Sequence, residues 1–126
     1  MNEYFCPACW SIVSENAETC PQCGAELSRY RRLSLEQRYL IALRHPKTDK
    51  RLLAVRYLGK LGSRKALIEF ERILEEEKEY PVLCEVVRAL TLIHDPQAHR
   101  LLKKTSDHPH YLISLLAKHY LDAETG

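Results

Sequence analysis

The 126-residue sequence predicts a mostly α-helical fold in which helical hairpins stack behind a small N-terminal metal-binding module. Two CPxC motifs, at residues 6–9 and 20–23, with few apolar residues around them, predict the module. The stack is predicted by apolar residues that recur at helical spacing from residue 35 onward, in a pattern that repeats after 32 residues. The expected divisions are a module at 1–28, a basic linker at 29–34 and a helical domain at 35–126.

The candidate metal ligands are Cys6, Cys9, Cys20 and Cys23. A CxxC turn places two thiolates at two corners of a tetrahedron without strain, and a second turn completes the four-cysteine set typical of zinc. Zinc is favoured over iron because the two CxxC motifs of rubredoxin-like iron sites are separated by a longer stretch of chain. The sequence alone does not distinguish zinc from iron. Such a site has no free position for water or substrate, so it is expected to be structural. Metal ligation is also expected to stabilise a module whose apolar core is too small to fold alone.

Within the module, Gly24 suits a turn with positive φ, and Trp10 takes the equivalent place in the first motif at some cost in geometry. Residues 11–13 are expected to pair as a short strand with residues near 25–27. The motifs CPAC and CPQCG resemble the paired knuckles of zinc ribbons over about 28 residues. This resemblance implies bound zinc and no particular function, because zinc ribbons serve in nucleic-acid machinery, in protein docking and as structural plugs.

Two helices are predicted directly after the linker. Ser34 precedes the first apolar stripe and is its expected N-cap, and the stripe stops before Pro46. Thr48 or Asp49 is the expected cap of the second helix, which ends at Gly62.

Four more helices follow. Ser63 is the expected cap of the third, whose apolar face is followed by a solvated acidic stretch at its end. Pro81 opens the fourth, Asp95 and Pro96 form a cap and first turn for the fifth, and Pro109 opens the last.

The helices repeat as pairs. A shift of 32 residues aligns residues 56–62 with 88–94, Ala66 with Ala98, and Phe70 with Leu102. Helix pairs that recur every thirty-odd residues are the mark of an α-solenoid.

Residues 55–66, with the sequence VRYLGKLGSRKA, are similar to the short HEAT repeats related to phycobilisome lyase subunits. The resemblance covers about residues 35–122, and the second repeat departs from it by carrying Thr91 and His94 in place of glycines. It implies that Arg56 and Arg88, at the recurrent arginine of the family, brace neighbouring repeats.

The charges are strongly segregated along the chain. Residues 1–28 hold four acidic residues and no lysine or arginine, whereas residues 29–51 hold eight basic residues and two acidic ones. The basic segment could bind phosphates without sequence preference through a set of four side chains, Arg29, Arg31, Arg32 and Lys47. The alternative, which is favoured, is that these residues are solvated or face the acidic module.

The sequence also limits the cellular location and the chemical activity that we expect of the protein. No run of about 18 apolar residues predicts a membrane span, and no signal peptide is evident, so we expect a cytoplasmic protein. The odd cysteine, Cys84, lies in an apolar stretch and is expected to be a small buried residue. The sequence contains no His-Glu dipeptide of the kind found in iron-binding HEAT proteins, and no Ser-His-Asp or glycine-rich phosphate motif. We therefore expect no enzymatic activity.

The expected function is that of an adaptor that binds another protein. Solenoids present a concave surface formed by the second helix of each repeat, which here carries Glu69, Arg72, Arg100 and Lys103. Two other functions stay open, a nucleic-acid-associated protein that uses residues 29–51 and, with less support, an enzyme subunit analogous to bilin lyases.

Overall fold

The structure is a computed structural model that describes residues 4–125, so Glu3 and the outermost ends of both predicted domains lie outside the described residues. It is mostly helical, as the sequence predicts, with a small two-stranded sheet near the N-terminus. The elements are β1 (Tyr4–Phe5), β2 (Ile12–Val13), α1 (Ser28–Arg31), α2 (Leu35–Ala42), α3 (Thr48–Leu61), α4 (Ala66–Glu76), α5 (Tyr80–Leu92), α6 (Pro96–Thr105) and α7 (Tyr111–Thr125). No helix in the described part of the chain is both long and apolar enough to cross a membrane.

The sheet of the N-terminal module differs from the prediction. β2 pairs antiparallel with β1, with Tyr4 opposite Val13, whereas residue 26 forms only an isolated bridge with Thr19. The expected pairing of residues 11–13 with 25–27 is therefore wrong. The physical reason is that each cysteine motif is itself a chain reversal, so the segments on either side of one motif meet each other first. We call residues 4–27 the cysteine module.

Local cap signals explain three of the helix ends. Ser34 and Gln37 form a capping box, in which the Ser34 hydroxyl accepts from the Gln37 N–H and the Gln37 side chain accepts from the Ser34 N–H. Gly62 ends α3 with a φ of 68°, and the Asp95 carboxylate accepts from the Gln97 N–H at the start of α6. These three predicted ends are confirmed.

Two predicted caps are wrong. α3 begins at Thr48 after Lys47, which makes no side-chain cap, so neither Thr48 nor Asp49 caps it. Ser63 does not cap α4, which begins at Ala66. The Ser63 N–H donates instead to the carbonyl of residue 58, because Ser63 follows the left-handed glycine and completes the C-terminal motif of α3.

The longer helices lie in two rows. α2 packs on α3, α3 on α5 and α5 on α7, while α4 packs on α6, and the two rows share one hydrophobic core. α3 and α5 pack closely at Gly59, where an added Cβ would lie 2.8 Å from the Ala89 Cβ. The core between the rows includes Leu58, Phe70, Val86 and Leu102, all fully buried.

Candidate metal centre

The four cysteine sulfurs lie close enough together to bind one ion. All four Sγ atoms are within 4.8 Å of one another, and the Cys6–Cys23 and Cys9–Cys20 pairs are each 3.6 Å apart. Zinc–thiolate bonds of about 2.3 Å in a tetrahedron require sulfur–sulfur distances of about 3.8 Å, so the donor set fits such an ion. The distances exclude disulfides, whose sulfurs are about 2.05 Å apart.

The backbone builds the two halves of the site in the same way. In the first motif the Cys6 N–H donates to the Ser11 carbonyl, and the Trp10 N–H donates to the Cys6 carbonyl. The Cys20 N–H and Gly24 N–H repeat both bonds in the second motif, with Ala25 in the place of Ser11. The two motifs are therefore equivalent knuckles that face each other.

The fourth position after the first cysteine adopts positive φ in both knuckles. The φ angles are 67° at Trp10 and 79° at Gly24. Glycine adopts this conformation freely, whereas a residue with a Cβ pays about 1–2 kcal/mol. Trp10 thus carries the geometric cost that the sequence predicts, and its side chain makes the contact described below.

The electrostatics of the sulfurs depend on their neighbours. The Ser11 hydroxyl, 3.2 Å from the Cys9 sulfur, and the Ser11 N–H lower the pKa of Cys9 to about 6. The Ala25 N–H favours the Cys23 thiolate, but burial and the three neighbouring cysteines outweigh it and raise the pKa of Cys23 to about 12. Four thiolates repel one another unless a cation compensates them, so ion binding would release protons.

The cysteine module packs against the turn between α2 and α3. The His45 ring, only 3% exposed, lies 4.8 Å from the Phe5 ring and 5.0 Å from the Trp10 ring. The Arg38 guanidinium covers the Tyr4 ring at 4.6 Å. Phe5 and Trp10 adjoin the two cysteines of the first knuckle, so the metal centre is connected directly to the helices.

His45 also shapes the turn on which the module sits. Its Nδ1 accepts the Lys47 N–H at 3.0 Å, so the ring proton is on Nε2, which is buried without a hydrogen-bond partner. Burial, followed by the nearby charges of Lys50 and Lys47, lowers the pKa of His45. The ring is therefore uncharged at neutral pH. Sequence reasoning missed this residue, because only a non-local contact distinguishes it.

The first half of the basic segment lies beside the acidic residues of the module. Arg29, Arg31 and Arg32 are exposed on or just after α1. Arg31 and Arg32 share a recess of about 490 Å³ with Glu15 and Glu18. This placement supports the interpretation that the basic segment faces the module.

In the second half of the basic segment, residues 44–51, the arginines form ion pairs with acidic residues on or just after α4. Arg44 binds Glu69 at 3.0 Å, and Arg51 binds both carboxylate oxygens of Glu77 at 2.8 and 3.1 Å. Lys47 is exposed at the α2–α3 turn. Arg44 and Arg51 therefore both form ion pairs within the protein.

Glu77 is a structural residue that the sequence places in a solvated stretch. Burial raises the pKa of Glu77, but the Arg51 guanidinium and the N–H groups of residues 78 and 79 outweigh it and hold the pKa below 4.5. Arg51 also donates to the carbonyls of His45 and Pro46. The pair thus connects the α2–α3 turn to the end of α4, and the expectation of a fully solvated stretch is wrong at Glu77.

The predicted interaction surface lies along α4 and α6. Glu69 accepts from both Arg44 and Arg72, which outweigh the effect of its burial and lower the pKa of Glu69. On α6, Arg100 donates to Gln97, and Lys103 is exposed. Glu69 and Arg72 are therefore fixed in an ion-pair network on α4, whereas Arg100 and Lys103 show no ion pair with a carboxylate among the described residues.

Arg56 and Arg88 meet at one buried carboxylate. Glu85 is 6% exposed and binds Arg56 at 3.1 Å and Arg88 at 3.0 Å. Glu85 and Arg88 both lie on α5, and Arg56 lies on α3. The Arg56–Glu85 pair thus joins α3 to α5.

The remaining cysteine and the histidines form no second centre in the described part of the chain. Cys84 is half-buried against the core, so the expectation of full burial is wrong. Among residues 4–125, the four cysteines are the only group of three or more potential metal ligands within reach of one ion.

The chain was compared with protein-family models, curated proteins and solved structures, and none of them matches it.

Proposed function

We propose that the protein is a non-catalytic adaptor that binds another protein and carries a structural zinc ion in its cysteine module. In this proposal the module is a zinc ribbon, and the helices are HEAT-like hairpins stacked as an α-solenoid. Two rows of neighbouring helices, α3–α5–α7 and α4–α6, support the solenoid, because stacked hairpins bring corresponding helices side by side.

Zinc is the proposed ion because the donor set consists of four cysteine sulfurs within reach of one ion, which is a set typical of structural zinc. Four protein ligands fill the coordination sphere, so the ion stabilises the module without meeting a substrate. Iron binds to the same kind of set, and metal analysis of the purified protein distinguishes the two.

One observation carries the adaptor proposal: α4 and α6 are in contact, and both helices carry exposed side chains. We call the exposed and half-buried residues of these two helices the α4–α6 surface. They include the charged residues Glu69, Arg72, Arg100 and Lys103 and the apolar residue Ile68, which is 80% exposed. An exposed apolar residue among arginines is a composition typical of protein interfaces.

Capture of the tagged chain from its native cells, with partners identified by mass, tests the proposal. The Ile68→Asp and Arg100→Glu variants alter the α4–α6 surface at exposed positions, and Lys118→Glu alters an exposed position on α7 as the control. We expect a partner that the wild type and the control retain and that both surface variants lose. A captured set that is the same for all four proteins contradicts the proposal.

A further inference from the structure

A groove of about 780 Å³ lies between the C-terminal halves of α4 and α6. Its floor is apolar and consists of the buried side chains of Leu74, Leu83 and Leu101. The volume is within the range of about 300–1,000 Å³ typical of ligand pockets. The groove is therefore large enough to hold one long side chain together with its apolar neighbours.

One end of the groove is held by the corner between α6 and α7. The His108 Nε2 lies 2.7 Å from the Leu74 carbonyl, and its Nδ1 accepts the His110 N–H at 3.0 Å. A carbonyl can only accept and an N–H can only donate, so this ring is neutral, with its proton on Nε2. The Ser114 hydroxyl also donates to the carbonyl of Ser106 across the corner. This end of the groove is thus fixed before any ligand binds, which lowers the entropic cost of binding.

The rim of the groove has an excess of negative charge. Four carboxylates and two lysines line it, and Arg51 neutralises the Glu77 carboxylate from outside. Three carboxylates, those of Glu71, Glu75 and Asp107, then face two lysines. Lys104 is shared between Glu71 at 3.7 Å and Glu75 at 3.5 Å. Both pairs are long and solvent-exposed, so they are weak, and another cation can readily replace Lys104 beside either carboxylate.

We propose that this groove binds a segment of a partner protein that presents a lysine or arginine between apolar side chains. The apolar stem of such a residue packs on the leucine floor, and its charged end reaches the carboxylates on the rim. An excess of one negative charge matches one added cation. This inference rests on the adaptor function proposed above and adds the place and the chemistry of the contact.

A peptide titration of the zinc-loaded full chain tests it. The probe is a fluorescein-labelled peptide with a central arginine flanked on each side by two leucines, and the matched peptides carry glutamine or glutamate at the centre. We expect saturable binding of the arginine peptide, at least tenfold weaker binding of the glutamine peptide and no binding of the glutamate peptide. A version with serines in place of the leucines is expected to bind at least tenfold more weakly.

Matched double variants locate the binding. The double variant Glu71→Gln, Glu75→Gln should bind the arginine peptide at least fivefold more weakly, and its affinity for the glutamine peptide should be unchanged. Glu76→Gln with Glu79→Gln makes the same change in net charge outside the groove and should alter the affinity by less than twofold. Equal effects of the two pairs, equal binding of all peptides, or no saturable binding up to millimolar peptide overturns the proposal. Butylguanidinium that binds as tightly as the peptide also overturns it in favour of a small-cation site.

The two proposals fail in different ways. A captured partner that still binds the Glu71→Gln, Glu75→Gln variant contradicts the groove and leaves the adaptor function standing. Failure of every surface variant to change the captured set contradicts the adaptor function itself.

Discussion

The contact between the cysteine module and His45 leads to a prediction about the stability of the whole chain. His45→Ala removes two aromatic contacts, each worth about 0.5–1.5 kcal/mol, and leaves the Lys47 N–H without its acceptor, which costs about 1 kcal/mol. The free energy of unfolding should therefore fall by about 3 kcal/mol. An exposed histidine, His94, provides the matched control, since surface substitutions usually change stability by less than about 0.5 kcal/mol.

The assay uses two signals that report on the two parts of the chain. Trp10 is the only tryptophan, so its fluorescence follows the cysteine module, while far-UV circular dichroism follows the helices. During urea unfolding of the zinc-loaded protein, both signals should change together. In His45→Ala the fluorescence transition should move to lower urea and separate from the helical one.

Chelation supplies a second perturbation of the same contact. Removal of the ion should unfold the module, withdraw Phe5 and Trp10 from His45, and lower the stability of the helices. In His45→Ala, chelation should then have little further effect on the helices. The coupling is refuted if His45→Ala behaves like His94→Ala, or if chelation leaves the helical transition unchanged.

Three further predictions concern the helices and the basic segment. Gly59→Ala should destabilise the chain by about 1–3 kcal/mol, because its Cβ meets that of Ala89, and Ala89→Gly in the same chain should restore part of the loss in thermal denaturation. Glu77→Gln should lower the free energy of unfolding by about 2 kcal/mol at pH 7. Since the pKa of Glu77 is lowered, this difference should be full above pH 4.5 and disappear as the pH falls through the folded-state pKa. A gel-shift titration at low salt should show no binding of a single-stranded oligonucleotide, because Arg31 and Arg32 lie beside acidic residues.

For each of these three predictions, a specific outcome would contradict the reasoning. Gly62→Ala is strained by its φ of 68° without a clash, so Ala89→Gly should not rescue it, and equal rescue of both glycines contradicts the packing argument. A pH-independent loss in Glu77→Gln contradicts the ion pair. Oligonucleotide binding that weakens steeply with salt supports the nucleic-acid alternative instead.

Local signals in the sequence predicted the local structure best. The caps at Ser34 and Asp95 and the helix end at Gly62 need only neighbouring residues, and all three are confirmed. The four cysteines also come together as their spacing predicts. Ser63 failed as a cap because two local motifs compete for it, and the C-terminal motif of α3 prevails.

Contacts between residues far apart in the chain could not be predicted from the sequence. The position of His45 between Phe5 and Trp10 depends on how the module lies on the helices, and the Arg51–Glu77 pair joins residues 26 positions apart. The predicted pairing of residues 11–13 with 25–27 failed for a related reason, since the pattern of 11–13 fits either partner. Chain reversal at the first knuckle decides between them.

Metal analysis combined with thiol alkylation tests the central claim, a closed four-cysteine site that holds a structural zinc ion. The purified protein should contain one zinc per chain, with Cys6, Cys9, Cys20 and Cys23 protected from alkylation until a chelator removes the ion. The half-buried Cys84, outside the site, serves as the internal control, and its reactivity should not depend on the chelator. Protein that is fully folded without metal, and whose four module cysteines react equally with and without a chelator, would contradict the account.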